Sequence, residues 1–343
     1  MKRATGSYKR KTVAPDIQEE REKLAFDQNE LQQFLHGGPE RFNKWKSKID
    51  SFGSEPGLAN YVEFSDLTPH EQQVDLWKRI GVLYKKHPEL LRDNILAPPA
   101  VDWIGYFQGL LPGIGLTISM FRLSVENLAS AEQKANWLPM IQNLDILGCY
   151  AQTEIGHGSN VAGLLTTATL DKATDEFVIN TPCIEASKYW PGDLGRFSSH
   201  AIVFARLIID ENDFGVQPFM VPMRDLETWK LLPGVKAGDL GPKIGYNSKD
   251  NGWAQFDKVR IPRTNMLMGL VEVSKEGEMS LKGDLRVLYS VMMGIRMMIV
   301  SASGSYFSVQ AARNATRYCC VRRQFKTEQG SSEERKVIDY QTV

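Results

Sequence analysis

Residues 149–180 read CYAQTEIGHGSNVAGLLTTATLDKATDEFVIN, and this stretch decides the fold. Its second half is a strand, a turn and a strand. Thr166 to Leu170 and Glu176 to Asn180 alternate or carry β-branched residues. Asp171-Lys172-Ala173-Thr174-Asp175 between them is a polar hairpin loop. Its first half, Tyr150 to Asn160, is dense in small hydrogen-bonding residues, and Gly156 and Gly158 permit close backbone approach. Two readings stay open for it: a plain Gly-rich turn, or a loop that binds a flat heterocycle through backbone N–H and threonine hydroxyl groups.

Outward from this stretch the strand signal continues to about residue 270. Ala201 to Ile209, Val216 to Met223 and Ala254 to Ile261 are further apolar strands. Pro233-Gly234 and Gly241-Pro242 punctuate the gaps. The block reads as a small antiparallel β-domain, not as βαβ units. Lys188-Tyr189-Trp190-Pro191-Gly192-Asp193-Leu194-Gly195 sets aromatics beside a tight turn. Such a segment walls a planar cofactor or fills an ordinary β-core.

The flanks read as helices. Thr68-Pro69-His70-Glu71 and Ser130-Ala131-Glu132-Gln133 are capping-box starts. They lead into Val74, Trp77, Ile80, Leu83 and Tyr84, and into Trp137, Leu138 and Ile141, at helical spacing. Gly109 to Gly115 (GLLPGIG) is an apolar loop or broken helix. After a polar insertion near Ser274 to Gly283, Val287 to Arg323 is a long helix. Gln324 to Arg335 is polar and flexible in character, and Val337 to Gln341 resembles the first turns of another helix. The expected division is a basic and polar tail over 1–26, a helical domain over 27–148, a β-domain over 149–272 and the start of a helical domain over 273–343. The fold class is α+β multidomain. The last pattern stops without a cap, as in an incomplete sequence.

The composition fits a soluble protein: 343 residues, 42% hydrophobic, 24% charged, with 41 basic and 41 acidic residues. A balanced chain has no general pull on nucleic acid or anionic membrane. The four cysteines lack metal-ligand spacing and are too few for a disulfide scaffold. Val287 to Ser303, interrupted by Arg296, suits a core helix better than a membrane span. The basic N-terminus (Lys2, Arg3, Lys9, Arg10, Lys11) is not followed by the apolar region of a secretory signal. The sequence contains no G-x-G-x-x-G, P-loop, H-E-x-x-H or G-x-S-x-G motif, and its five histidines are scattered. No metal site is expected.

The ordered set Tyr150-Ala-Gln-Thr-Glu-Ile-Gly-His-Gly-Ser-Asn160, Gly163, Thr166-Thr-Ala-Thr169 and Tyr189-Trp-Pro-Gly192 resembles the peroxisomal acyl-CoA oxidases, of the acyl-CoA dehydrogenase superfamily. Ser199 to Val203, Gly238 to Lys243, Asn251 to Trp253, Ile261 to Met268, Val321 to Phe325 and Ile338 to Thr342 extend the likeness over about residues 15 to 343. The resemblance implies a helical domain, a β-barrel-like middle domain and C-terminal helices. It implies FAD as cofactor and fatty acyl-CoA and O₂ as substrates, with trans-2-enoyl-CoA and H₂O₂ as products. It also implies a homodimer, a peroxisomal location, no nucleic acid and no membrane span. It places Thr153 and Gln152 at the flavin edge, Gly192 with Trp190 and Pro191 beside the ring, and Arg322 and Gln324 at the FAD diphosphate of a neighbouring subunit. Arg296 is assigned to the CoA moiety. The family's glutamate base lies in a Phe-Glu-Gly-Glu-Asn-type motif that is absent here, so the chain is read as an N-terminal portion without its catalytic residue. The alternatives are a dehydrogenase that uses a carrier acceptor, or a non-catalytic flavin- and acyl-CoA-binding paralogue. The segment Val287 to Val343 is expected to leave an apolar face uncovered.

Overall fold

A computed structural model of the chain describes residues 14–53, 66–86, 111–326 and 334–341, with positions 55, 57, 58, 88 and 332 besides. The basic residues expected in a tail at positions 2–11, and residues 109 and 110 of the apolar loop, lie outside them. The chain forms two compact units, Ser51–Ala302 and a second made of Met1–Asp50 with Ser303–Val343.

In the second unit, α1 (Pro15–Glu22) is helical where the sequence suggested only a tail. α2 (Gln28–Leu35) starts on Asp27, whose carboxylate accepts the N–H groups of Asn29 and Glu30 at 2.7 and 3.0 Å. α3 is Pro39–Gly53.

In the larger unit, α4 (Pro69–Lys86) begins at the predicted capping box, with the Thr68 N–H donating to Glu71 at 2.9 Å. Its stripe Leu76, Ile80 and Leu83 is buried against Ile114 and Ile118. Those two residues belong to a short helix α5 (Leu111–Leu116) that widens into a π-turn over Thr117–Phe121 and runs on as α6 (Arg122–Leu128). α7 (Ala131–Gln142) carries the second predicted capping box, formed by Ser130 and Gln133. The Gln133 side chain also donates to the carbonyls of Thr264 and Met266 and accepts from the Met268 N–H. It thereby ties the helices to the β-region.

The strands are β1 (Gly148–Ala151), β2 (Thr167–Asp171), β3 (Glu176–Asn180), β4 (Lys188–Gly192), β5 (His200–Ile209), β6 (Asn212–Pro222), β7 (Val235–Asp239), β8 (Asn251–Phe256) and β9 (Val259–Pro262). β4, β8 and β7 form one antiparallel sheet. The other sheet runs β1-β5-β2-β3-β9, with β6 also on β5. This second sheet is mixed, not purely antiparallel as read from the sequence. β1 and β2 both pair parallel to β5, which their long connections permit. The single strand expected over 254–261 is two strands, broken at Asp257-Lys258 where Lys258 has φ 51°. β5 is apolar apart from His200 and Arg206, because both its faces are covered. Ala201, Val203, Ala205 and Leu207 face a core shared by the two sheets, while Ile202 and Phe204 face α6 and α7.

The predicted polar insertion is a hairpin of β10 (Val271–Val273) and β11 (Met279–Leu281). α8 (Leu285–Val321) matches the predicted long helix. Along it Met293, Met297, Val300, Phe307 and Tyr318 are exposed. No helix among the described residues is long and apolar enough to cross a membrane. Beyond α8, β12 (Arg323–Lys326) and β13 (Glu334–Lys336) pair antiparallel where a flexible segment was expected. Val337–Asp339 is one 3₁₀ turn, not a helix start. Arg323 and Lys336 form ion pairs with Asp16 of α1 at 2.7 and 3.4 Å.

Candidate functional site

β1 and β2 lie end to end along one edge of β5. Ala151 stands opposite Val203, and Thr167 opposite Arg206. The segment between them, 152–166, swings out and leaves that edge without a strand at Phe204. Side chains satisfy the gap. The Lys188 ammonium donates to the Phe204 carbonyl at 2.7 Å, to the Gln152 carbonyl at 3.2 Å and to Glu154 at 2.9 Å. The Glu154 carboxylate also accepts the N–H groups of Leu165 and Thr166 at 2.7 and 3.0 Å and the Thr166 hydroxyl at 2.6 Å. Both side chains are fully buried. Burial drives the Lys188 ammonium down to about 8, with Glu154 opposing. Burial would raise Glu154, but the Lys188 charge and its three other donors outweigh it and hold the carboxyl below its ordinary value. Glu154 is a structural anion, fully buried and held by four donors.

This anchor sets the loop against β4. The Tyr189 N–H donates to the Thr153 carbonyl at 3.0 Å, and the Thr153 hydroxyl donates to the Tyr189 carbonyl at 2.6 Å. Gln152 and Thr153 are half-buried, and Tyr189 and Trp190 are exposed. Pro191 and Gly192 are buried beneath them. Trp190 keeps 55% of its surface in solvent, a large value for an indole in a sheet. It has φ 81° and sits in a bulge, since β4 and β8 shift register between Tyr189 and Gly192. A Cβ on Gly192 would overlap the Lys249 side chain and stand 2.7 Å from Leu116, so a larger residue would have to displace the buried Lys249 stem. The corner therefore joins an open indole, a side-chain-free turn and a threonine held by the backbone. Such a surface suits the face and edge of a planar heterocycle.

Five of the eight predicted site residues, Gln152, Thr153, Trp190, Pro191 and Gly192, meet at this corner. Arg296 lies on α8 with its side chain exposed. Arg322 and Gln324 belong to the other compact unit. The Arg322 carbonyl accepts from the Val337 N–H at 2.8 Å and the Gln324 carbonyl from the Tyr340 hydroxyl at 2.6 Å, which leaves both side chains exposed.

Sequence reasoning missed the residues under the corner. Lys249 and Asp193 form a buried ion pair at 2.5 Å. The Asn251 amide donates to the Trp190 carbonyl at 2.8 Å. Arg224 is buried and donates to the carbonyls of Gly195 and Ser198, each at 2.6 Å. Trp190 and Asp193 take left-handed backbone angles that no single sequence announces. Among the described residues no His, Cys, Asp and Glu group is arranged to hold a metal ion. Burial pushes the Cys149 thiol up to about 12, so it is not a nucleophile.

Three family models match in succession: acyl-coenzyme A oxidase N-terminal over residues 27–147, acyl-CoA dehydrogenase middle domain over 149–259, and acyl-CoA oxidase C-alpha1 domain over 289–343. A peroxisomal acyl-coenzyme A oxidase 1 from Cavia porcellus is 37% identical over 333 residues, 96% of this chain and 49% of the relative. Among solved structures, Arabidopsis thaliana acyl-CoA oxidase 1 superposes with TM-score 0.84 at 38% identity, covering 95% of this chain and 49% of that one. Acyl-CoA oxidase-2 of Caenorhabditis elegans, solved with FAD, ascaroside-CoA and ATP, gives TM-score 0.87 at 36% identity over 97% of this chain and 50% of that one. The chain spans about half the length of the curated relatives it matches. With its fold, its motifs and three successive domain matches in agreement, the chain belongs to the acyl-CoA oxidase family.

Proposed function

We propose that this chain forms the flavin-holding part of an FAD-dependent acyl-CoA oxidase of fatty acid β-oxidation. The observation that carries the reading is the corner of Thr153 and Trp190 to Gly192. There an exposed indole borders a glycine whose Cβ position is already filled by neighbours. That cradle fits an isoalloxazine ring. Trp190 would cover one part of the ring, the Gly192 backbone would approach it closely, and Gln152 and Thr153 would face its edge. Bound FAD supplies the acceptor for the β-hydride of the acyl chain. The protein's part is to lay the ring flat and exclude water, and the Glu154–Lys188 anchor fixes the loop that does so. Glu154 is not the base for the α-proton, since its carboxylate is enclosed by donors. Arg322 and Gln324 would meet the FAD diphosphate of a neighbouring subunit, an arginine fork being suited to phosphate oxygens. Arg296 would meet the CoA moiety.

The overall reaction consumes a saturated acyl-CoA and O₂ and yields trans-2-enoyl-CoA and H₂O₂. A homodimer, a peroxisomal location and the division of the chain near residues 149 and 273 belong to the same reading. The test is to join the chain to the C-terminal portion of a full-length relative, which carries the family's glutamate base, to supply FAD and a saturated fatty acyl-CoA in air, and to measure enoyl-CoA and peroxide together. Equal yields of the two support the oxidase reading. Enoyl-CoA formed only with an added electron acceptor would favour a dehydrogenase. Bound FAD and acyl-CoA without product would favour the binding paralogue.

A further inference from the structure

The turn that presents Trp190 and Gly192 is held in a costly conformation. Trp190 has φ 81° and Asp193 φ 65°, two non-glycine residues in the left-handed region within four positions. Such angles persist only where surrounding structure imposes them. Here three consecutive residues do so. The Asn251 amide grips the Trp190 carbonyl at 2.8 Å, and the Asp250 carbonyl accepts the Asp193 N–H at 2.5 Å. The Lys249 ammonium grips the Asp193 carboxylate at 2.5 Å. The Lys249 stem lies directly under Gly192, where any Cβ would overlap its Cε. Neither charge faces water, since the side chains are 6% and 3% exposed.

We propose that Lys249 is a positioning residue for the flavin-facing turn: paired with Asp193 and seated beneath Gly192, it holds residues 190–193 in the conformation that presents them to the ring. The proposal rests on the flavin reading above for its ligand, but the held turn is a property of the chain itself. The groups around the pair are few. Asp250 acts on Asp193 along with Lys249, and burial and then the Asp193 charge push the Tyr246 hydroxyl above its ordinary value. Asp250 in turn meets Asp239, and its carboxylate accepts the Arg196 N–H at 2.6 Å. Burial pushes Asp193 up to about 7, against the pull of Lys249, so the carboxylate takes its charge near neutral pH.

The physics also supplies a rescue. Glycine takes a positive φ without strain, and methionine keeps the apolar stem of lysine. Lys249→Met alone leaves Asp193 strained and unpaired, whereas Asp193→Gly with Lys249→Met needs no brace. Two readouts follow: amide exchange over residues 189–197, and FAD affinity by flavin fluorescence. Lys249→Met should raise exchange in that segment roughly tenfold, as local opening does, and weaken FAD to match. The double variant should restore both. Unchanged exchange in Lys249→Met, or a double variant no better than the single, overturns the proposal. An unaltered chain that takes up no FAD, while Lys249→Met still loosens the turn, would overturn the flavin reading and leave the positioning role supported.

Discussion

At the scale of single residues, the buried charges are the most exposed to test. Glu154 and Lys188 replace a missing strand at the β5 edge, and both are fully enclosed. Removing one partner strands the other charge. Lys188→Met should cost about 3 kcal/mol in urea denaturation, and Glu154→Gln with Lys188→Met should cost less than the single change. Equal losses would mean that the ammonium matters only through its carbonyl contacts. His200 gives a second test. Burial pulls its imidazole down to about 4, below the ordinary value of 6.5. A depressed folded-state value favours the neutral ring, so its contribution is present above pH 6.5 and lost as pH falls through about 4. Asp193 and Asp250 are raised by burial to about 7 and about 6, and they act in the opposite direction. The comparison of the unaltered chain with His200→Gln isolates the histidine. The variant should lose less stability than the parent between pH 6.5 and 4.

At the scale of elements, the capping box of α7 offers a clean measurement. Ser130→Ala removes the acceptor of the Gln133 N–H, at 3.2 Å in the structure, and should cost about 1 kcal/mol of stability. A loss near zero would show that the packing of Gln133 on β-region carbonyls is sufficient without the cap. Elements of this kind were legible in the sequence because their signals are local. The hairpin of β2 and β3 falls where the alternation and the polar loop place it, and both capping boxes start the helices they announce. What lay beyond the sequence was the identity of distant partners. The parallel pairing of β1 and β2 with β5 depends on which edges are vacant after folding. The segment 324–335 reads as polar and flexible because an exposed hairpin such as β12–β13 buries little that would mark it. In the candidate site, the Trp-Pro-Gly turn and Thr153 were visible as motifs. Lys249 and Asp193, 56 positions apart, were not, since neither periodicity nor motif links a lysine in one loop to an aspartate in another.

At the scale of the whole molecule, α8 carries an apolar row that the described residues leave in solvent. Met293, Met297 and Val300 are 52%, 65% and 61% exposed, one turn apart on one side of the helix. Surfaces of this kind drive association. Sedimentation of the chain should show concentration-dependent self-association, reduced when these three residues become Gln, Gln and Thr. A monodisperse monomer across the concentration range would refute this. The central claim concerns the corner where two segments of the β-region meet, and one titration tests it most directly. FAD is added to the purified chain and to Trp190→Gly, with flavin fluorescence as the signal. The substitution removes an exposed ring and relieves a positive φ, so the fold has no reason to suffer. The account predicts saturable quenching by the unaltered chain and an affinity about tenfold weaker in the variant, the scale of one aromatic contact. No saturable binding by the unaltered chain, or equal affinity in the two, would contradict it.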